Sequence, residues 1–167
     1  TVNGQKLIEK ARSLQLMLCV YQNRRYDGDF LTVKKIIEEE PIGRMVEFES
    51  TFPRFRNFVR KDTWKEESRG LTFDIGPHLI DQCVTLFGMP DTIFADIATL
   101  RKGGKIDDYF IIHPMHCSKA PEVHITLKSS YLMCDEEPRF VIHGTNGSYI
   151  KYGLDPQESL LKTGVMP

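Results

Sequence analysis

Long hydrophobic runs are missing from this chain, and so is any excess of one charge. No apolar stretch approaches the ~18–20 residues a helix needs to cross a bilayer, and the N-terminus has no signal-peptide pattern. Lys and Arg number 22 against 23 Asp and Glu, leaving a formal net charge of −1. That balance offers no electrostatic attraction to nucleic acid or an anionic membrane. Cysteine is sparse: Cys19, Cys83, Cys117 and Cys134 are scattered without C-x-x-C spacing, a pattern of free, packed thiols in a reducing compartment. Repeats and low-complexity tracts are also absent. The expectation is a soluble cytoplasmic protein without nucleic-acid or membrane partners.

What remains is enough for one core. The 167 residues are 41% hydrophobic and 27% charged, ordinary for a single globular domain. Leu7, Ile8 and Ala11 recur at helical spacing over 3–13, with Asn3 as a cap. The run Leu16–Tyr21 reads as a strand buried on both faces, although the remaining sequence supplies no obvious parallel neighbours. Asp27 or Asp29 opens a helix over about 29–40, and residues 44–52 alternate as a half-buried strand. A loop over 53–69 mixes Arg and Lys with Phe55, Phe58 and Trp64. It reads as a substrate-facing lid or as a merely solvated loop. After a helix at about 75–87, strands are expected at 92–100, 108–113, 122–133, 139–143 and 148–152. Asn146-Gly147 turns between the last two, and nothing closes the tail beyond Tyr152. The fold class is α+β, a mostly antiparallel open sheet with helices on one face.

One stretch concentrates chemistry: Gly70-Leu-Thr-Phe-Asp74-Ile-Gly-Pro-His78-Leu-Ile-Asp81. On a helical wheel Asp74, His78, Asp81, Gln82 and Thr85 share one arc, opposite Leu79, Ile80, Cys83, Val84, Leu86 and Phe87. Pro77 suits a first helical turn, Gly76 before it is biased out of the helix, and Asp74 would cap from just outside. Amphipathic helices routinely present such an arc, so a solvated polar face with an aspartate cap accounts for it fully. The functional account has Asp74 orient His78, which passes a proton to or from a substrate oxygen. The glycines would permit close backbone approach. His113-Pro-Met-His116-Cys117 has no second ligand cluster at finger-like or zincin spacing, so no metal site is expected. His124 and His143 read as ordinary strand residues. Asn23, Arg24 and Arg25 follow the apolar run at 16–21, where ligands of parallel sheets sit, or else form a surface turn.

The Gly70–Asp81 stretch resembles the D-x-G-x-H-x-x-D segment of the Gfo/Idh/MocA oxidoreductases, NAD(P)-dependent dehydrogenases of sugars, cyclitols and related polyols. Residues 21–30 resemble that family's junction between Rossmann and substrate domains. The segments at 144–148 and 153–158 resemble later parts of bacterial members. The resemblance implies Asp74 and His78 as catalytic residues, with Asn23, Arg25 and Trp64 facing substrate or nicotinamide. It implies hydride transfer between a carbinol carbon and NAD or NADP, and self-association as a homo-oligomer through the sheet face. The chain departs from the family in having no G-x-G-x-x-G and no E-K-P, and in carrying Arg69 where a glycine is common. Residues 1–26 are therefore expected to be the last helix and strand of a truncated Rossmann domain. Residues 27–167 are expected to be the substrate and oligomerisation domain, incomplete at its end and inactive alone. The alternative is a non-catalytic binding or self-association module.

Overall fold

The computed structural model describes residues 2–60, 66 and 69–165. Its centre is a six-stranded sheet built from β1 (Met45–Pro53), β2 (Thr92–Ala98), β3 (Tyr109–Met115), β4 (His124–Ser130), β5 (Phe140–Gly144) and β6 (Ser148–Lys151). The strand order is β2-β3-β4-β1-β5-β6. β1 and β4 run parallel, while the other neighbouring pairs are antiparallel. The long excursion between β1 and β4 makes that parallel pairing possible, because parallel strands cannot be joined by a tight turn. β5 and β6 form the expected hairpin, with His143 opposite Ser148.

Alternation along the strands sets the two faces. Phe48 lies beside Ile125, Ser50 beside Leu127 and Phe52 beside Ser129, so one face collects the apolar side chains. Helices α1 (Val2–Ser13), α2 (Gly28–Glu39), α3 (Leu71–Asp74), α4 (Gly76–Phe87) and α5 (Gln157–Lys162) and a 3₁₀ turn over Asn23–Tyr26 complete the described elements. Phe30 and Val33 of α2 join Leu79, Cys83 and Phe87 of α4 against that face, around Phe48, Phe110, Leu127, Phe140 and Ile142. The Phe48 and Phe87 rings meet edge-on, 5.0 Å apart. Burial of each such side chain is worth about 1.5–3 kcal/mol, which is what seats α4 on the sheet.

Several expectations change. Leu16–Tyr21 forms no strand, because no sheet strand lies beside it: Met17 is 95% exposed and Tyr21 79%. α1 likewise buries none of its residues. The tail beyond Tyr152 does close, with α5 docked through the Gln157 side-chain amide, which donates to the Tyr26 carbonyl. The helix after Asp74 begins at Gly76, one residue before the proline, and Asp74 ends the short α3 instead of capping α4. Within α4, Gln82 is buried and Ile80 is exposed, the reverse of the wheel. A wheel assumes one partner surface, whereas α4 packs on the sheet on one side and on the Asn23–Tyr26 turn on another.

Cys83 and Cys117 are buried, whereas Cys19 and Cys134 are exposed. Burial pushes the Cys83 thiol up to about 12, and burial also raises Cys117. Only the thiolate attacks a disulfide reagent. Titration of the native chain with an aromatic disulfide is therefore expected to show two fast thiols, the other pair reacting only after denaturant is added. Four fast thiols would contradict this packing.

Candidate active site

α3 and α4 are joined through Ile75, whose carbonyl accepts from the His78 N–H at 3.0 Å. Pro77 fits the first turn of α4, where backbone N–H groups lack intrahelical acceptors. Asp74 and His78, four residues apart, meet at this junction, and both are half-buried. The His78 Nδ1 is buried and makes no hydrogen bond among the described residues. Burial holds the imidazole below its ordinary pKa, and Arg24 and Arg139 push the same way. Asp74 and Asp81 oppose them. The ring is thus neutral near pH 7 while two carboxylates stand ready for the charged form.

The second wall is the 3₁₀ turn Asn23–Tyr26. Arg25 clamps it to α4: Nε donates to Asp81 Oδ2 at 2.7 Å and Nη2 to Oδ1 at 2.6 Å. This bidentate pair raises the Arg25 pKa, chiefly through its hydrogen bonds to Asp81. The Gln82 amide donates to the Arg24 carbonyl at 2.8 Å, and its oxygen accepts from Arg139 Nη2 at 2.8 Å. Arg139 is buried, bonded to Ser50 at 2.6 Å and stacked over Phe140, with its guanidinium carbon 4.1 Å from the ring centroid. Burial lowers its pKa to about 10, against the pull of Asp29. Sequence reasoning did not single out Gln82 or Arg139 as holding the site. An arginine at the start of a strand carries no signal of burial; only the juxtaposition of Phe52, Phe140 and Gln82 reveals it.

The remaining candidates separate. Arg25 reaches the α4 face one turn beyond His78, but its guanidinium is engaged by Asp81. Asn23 lines a cleft of about 500 Å³ with Arg24, Tyr26, Asp155 and Gln157, and neither Asp74 nor His78 lines it. Trp64 lies outside the described residues. His113 Nδ1 lies 3.3 Å from both the Ile125 carbonyl and the Thr126 hydroxyl, its ring tilted against Phe94. Among the described residues no group of three or more His, Cys, Asp or Glu could hold a metal ion. No described helix is long and apolar enough to cross a membrane. Of the two motif glycines, Gly76 would admit a Cβ in ordinary contact at 3.7 Å, while at Gly70 a Cβ would collide with the Asp107 carboxylate.

The architecture is thus a mixed sheet with helices packed on one face, and an Asp–His pair at a helix junction. Residues 30–150 match the GFO/IDH/MocA C-terminal domain, and the chain belongs to the Gfo/Idh/MocA family of oxidoreductases. It is 46% identical to an uncharacterized oxidoreductase of Schizosaccharomyces pombe, over 98% of this chain and 46% of the relative. It is 35% identical to the Bacillus subtilis scyllo-inositol 2-dehydrogenase (NADP+), over 98% of this chain and 45% of that protein. A crystal structure of a Bacteroides fragilis protein named as an oxidoreductase superposes with a TM-score of 0.89. The two are 56% identical, over 100% of this chain and 47% of that one. The chain thus spans about half the length of the relatives it matches.

Proposed function

We propose that this domain forms the substrate side of an NAD(P)-dependent oxidoreductase acting on a hydroxyl or carbonyl of a polyol, sugar or cyclitol. The observation that carries the reading is His78: a half-buried, neutral imidazole beside Asp74, with a buried ring nitrogen that no described residue bonds. The B. subtilis relative, named as an inositol dehydrogenase using NADP+, supports the substrate class and the cofactor.

The residues present fit the reactive end of such a cofactor and not its phosphates. The sequence has no glycine-rich phosphate cradle, and Arg25 is engaged by Asp81. On this reading the dinucleotide is held chiefly by a domain outside these residues, so the chain alone does not turn over. Asn23 and the Arg25 turn would border nicotinamide or substrate. A bound nicotinamide would supply the hydride acceptor. This chain's part is the proton: a neutral His78 takes it from the substrate hydroxyl at a ring nitrogen, and Asp74 and Asp81 stabilise the resulting imidazolium. Self-association through the outer sheet face belongs to the same reading, supported there by exposed Phe94 and Ile150.

The test is NAD(P)+ reduction by the full-length protein with a panel of inositols, sugars and linear polyols, followed against pH. His78 is depressed, so it protonates only below the ordinary histidine value. Oxidation is expected to hold through neutral pH and fall on the acid side as the ring charges. Absence of turnover across the panel, or an acid limb above the ordinary histidine value, would sink the reading.

A further inference from the structure

We propose that Asp107 and Arg101, in the loop between β2 and β3, are positioning residues for Asp74, and that this loop is a bracket setting the α3 turn in place. α3 has only four residues, Leu71–Asp74. A helix that short is not self-supporting, so its direction depends on what holds its ends. Its opening N–H groups lack intrahelical acceptors, and Gly70 provides no side-chain cap. Asp107 fills both needs from 35 residues away: its carbonyl accepts from the Leu71 N–H at 2.9 Å, and its carboxylate accepts from the Thr72 N–H at 2.6 Å. The Asp74 N–H in turn donates to the Gly70 carbonyl at 3.1 Å. Gly70 has an ordinary extended backbone, with φ −72° and ψ −172°. Glycine is required there for space, because a Cβ would fall inside the Asp107 carboxylate.

The loop carrying Asp107 is itself immobilised. The buried Asp108 carboxylate accepts from the Leu100 N–H at 2.7 Å, the Arg101 N–H at 3.1 Å and Arg101 Nε at 2.9 Å. Arg101 continues to the Phe58 carbonyl at 2.7 Å and to both oxygens of Glu66 at 3.1 and 2.7 Å, and its guanidinium carbon lies 4.5 Å from the Tyr131 ring centroid. Arg101, Asp108 and Glu66 are all buried. Asp107 is therefore presented from a fixed base, and the bracket joins Phe58 and Glu66, the β2–β3 loop and α3.

This inference rests on the reading above that Asp74 acts on His78, but its test does not need turnover. The charged groups acting on His78 are Arg24 from the 3₁₀ turn, Asp74 from α3, Arg139 at the start of β5 and Asp81 from α4. The readout is the His78 imidazole titration by NMR in this chain. Asp74 raises the His78 pKa, so Asp107→Ala is expected to shift the titration downward, as Asp74→Asn does. Asp107→Asn, which keeps an oxygen acceptor without the charge, should shift it less. In an Asp74→Asn background, Asp107→Ala should add nothing. An equal shift in that background, or Asn matching Ala, would mean that Asp107 acts directly by its charge and would overturn the proposal. So would an unmoved titration in folded Asp107→Ala. If that variant does not fold, Gly70→Ala, which displaces the carboxylate, carries the test, and an unmoved titration there overturns the bracket. The expected NMR shifts with undiminished turnover of an Asp74→Asn full-length protein would sink the catalytic reading and leave the bracket standing.

Discussion

His78→Ala in the full-length protein is expected to lower kcat/KM for polyol oxidation by about 10²–10⁴-fold, the usual contribution of a positioned general base. The neutral ring is the described group at the α3–α4 junction suited to take a hydroxyl proton near pH 7. Alanine leaves the proton to water. Asp74→Asn preserves shape and removes the charge that favours the imidazolium, so the expected loss is smaller. Its signature lies in the pH profile. Because Asp74 raises the His78 pKa, its loss should move the acid limb to lower pH, while the plateau falls as the charged imidazole formed in the reaction loses a stabilising partner. Near wild-type kcat/KM in His78→Ala, or an acid limb moving upward in Asp74→Asn, would remove these residues from the chemistry.

Arg101→Leu is expected to cost about 3–5 kcal/mol of stability, because it removes the guanidinium that two buried carboxylates share. Glu66 is left to Arg56 at 3.7 Å, and Asp108 to two backbone N–H groups. Glu66 and Asp108 are 5% and 0% exposed, and Arg101 is the guanidinium bonded to both. Burial alone would lower the Arg101 pKa, and its bonds to Glu66 and Asp108 more than reverse that, which shows how closely the three charges are matched. Domains of this size hold about 5–15 kcal/mol in total, so urea unfolding of the variant should begin near zero denaturant. The companion variant Arg101→Leu with Glu66→Gln and Asp108→Asn removes the two buried charges and should recover part of the loss. A deficit below about 1 kcal/mol in Arg101→Leu would mean that the network is solvated and carries little.

Much of the fold was legible without coordinates because it rests on local periodicity. Alternation in β1, the Asn146-Gly147 turn and the bounds of α2 and α4 are consequences of near neighbours in the chain. The misread elements share one cause. Leu16–Tyr21 has the composition of a buried strand, but composition cannot supply the neighbouring strands that would bury it. α5 is a short helix held by contact with the Asn23–Tyr26 turn, and its residues carry no strong pattern of their own.

The site divides the same way. The amino-acid order alone determined that His78 and Asp81 stand one helical turn apart on α4, since the spacing of side chains along a helix is a property of the backbone. Only the tertiary structure decided what each of them faces. It turned Asp81 to Arg25, buried Gln82 between Arg139 and the Arg24 carbonyl, and brought Asp107 across 35 residues onto the start of α3. These are hydrogen bonds between residues distant in the chain. They depend on how sheet and helices pack, and a pattern of local spacing does not contain that information.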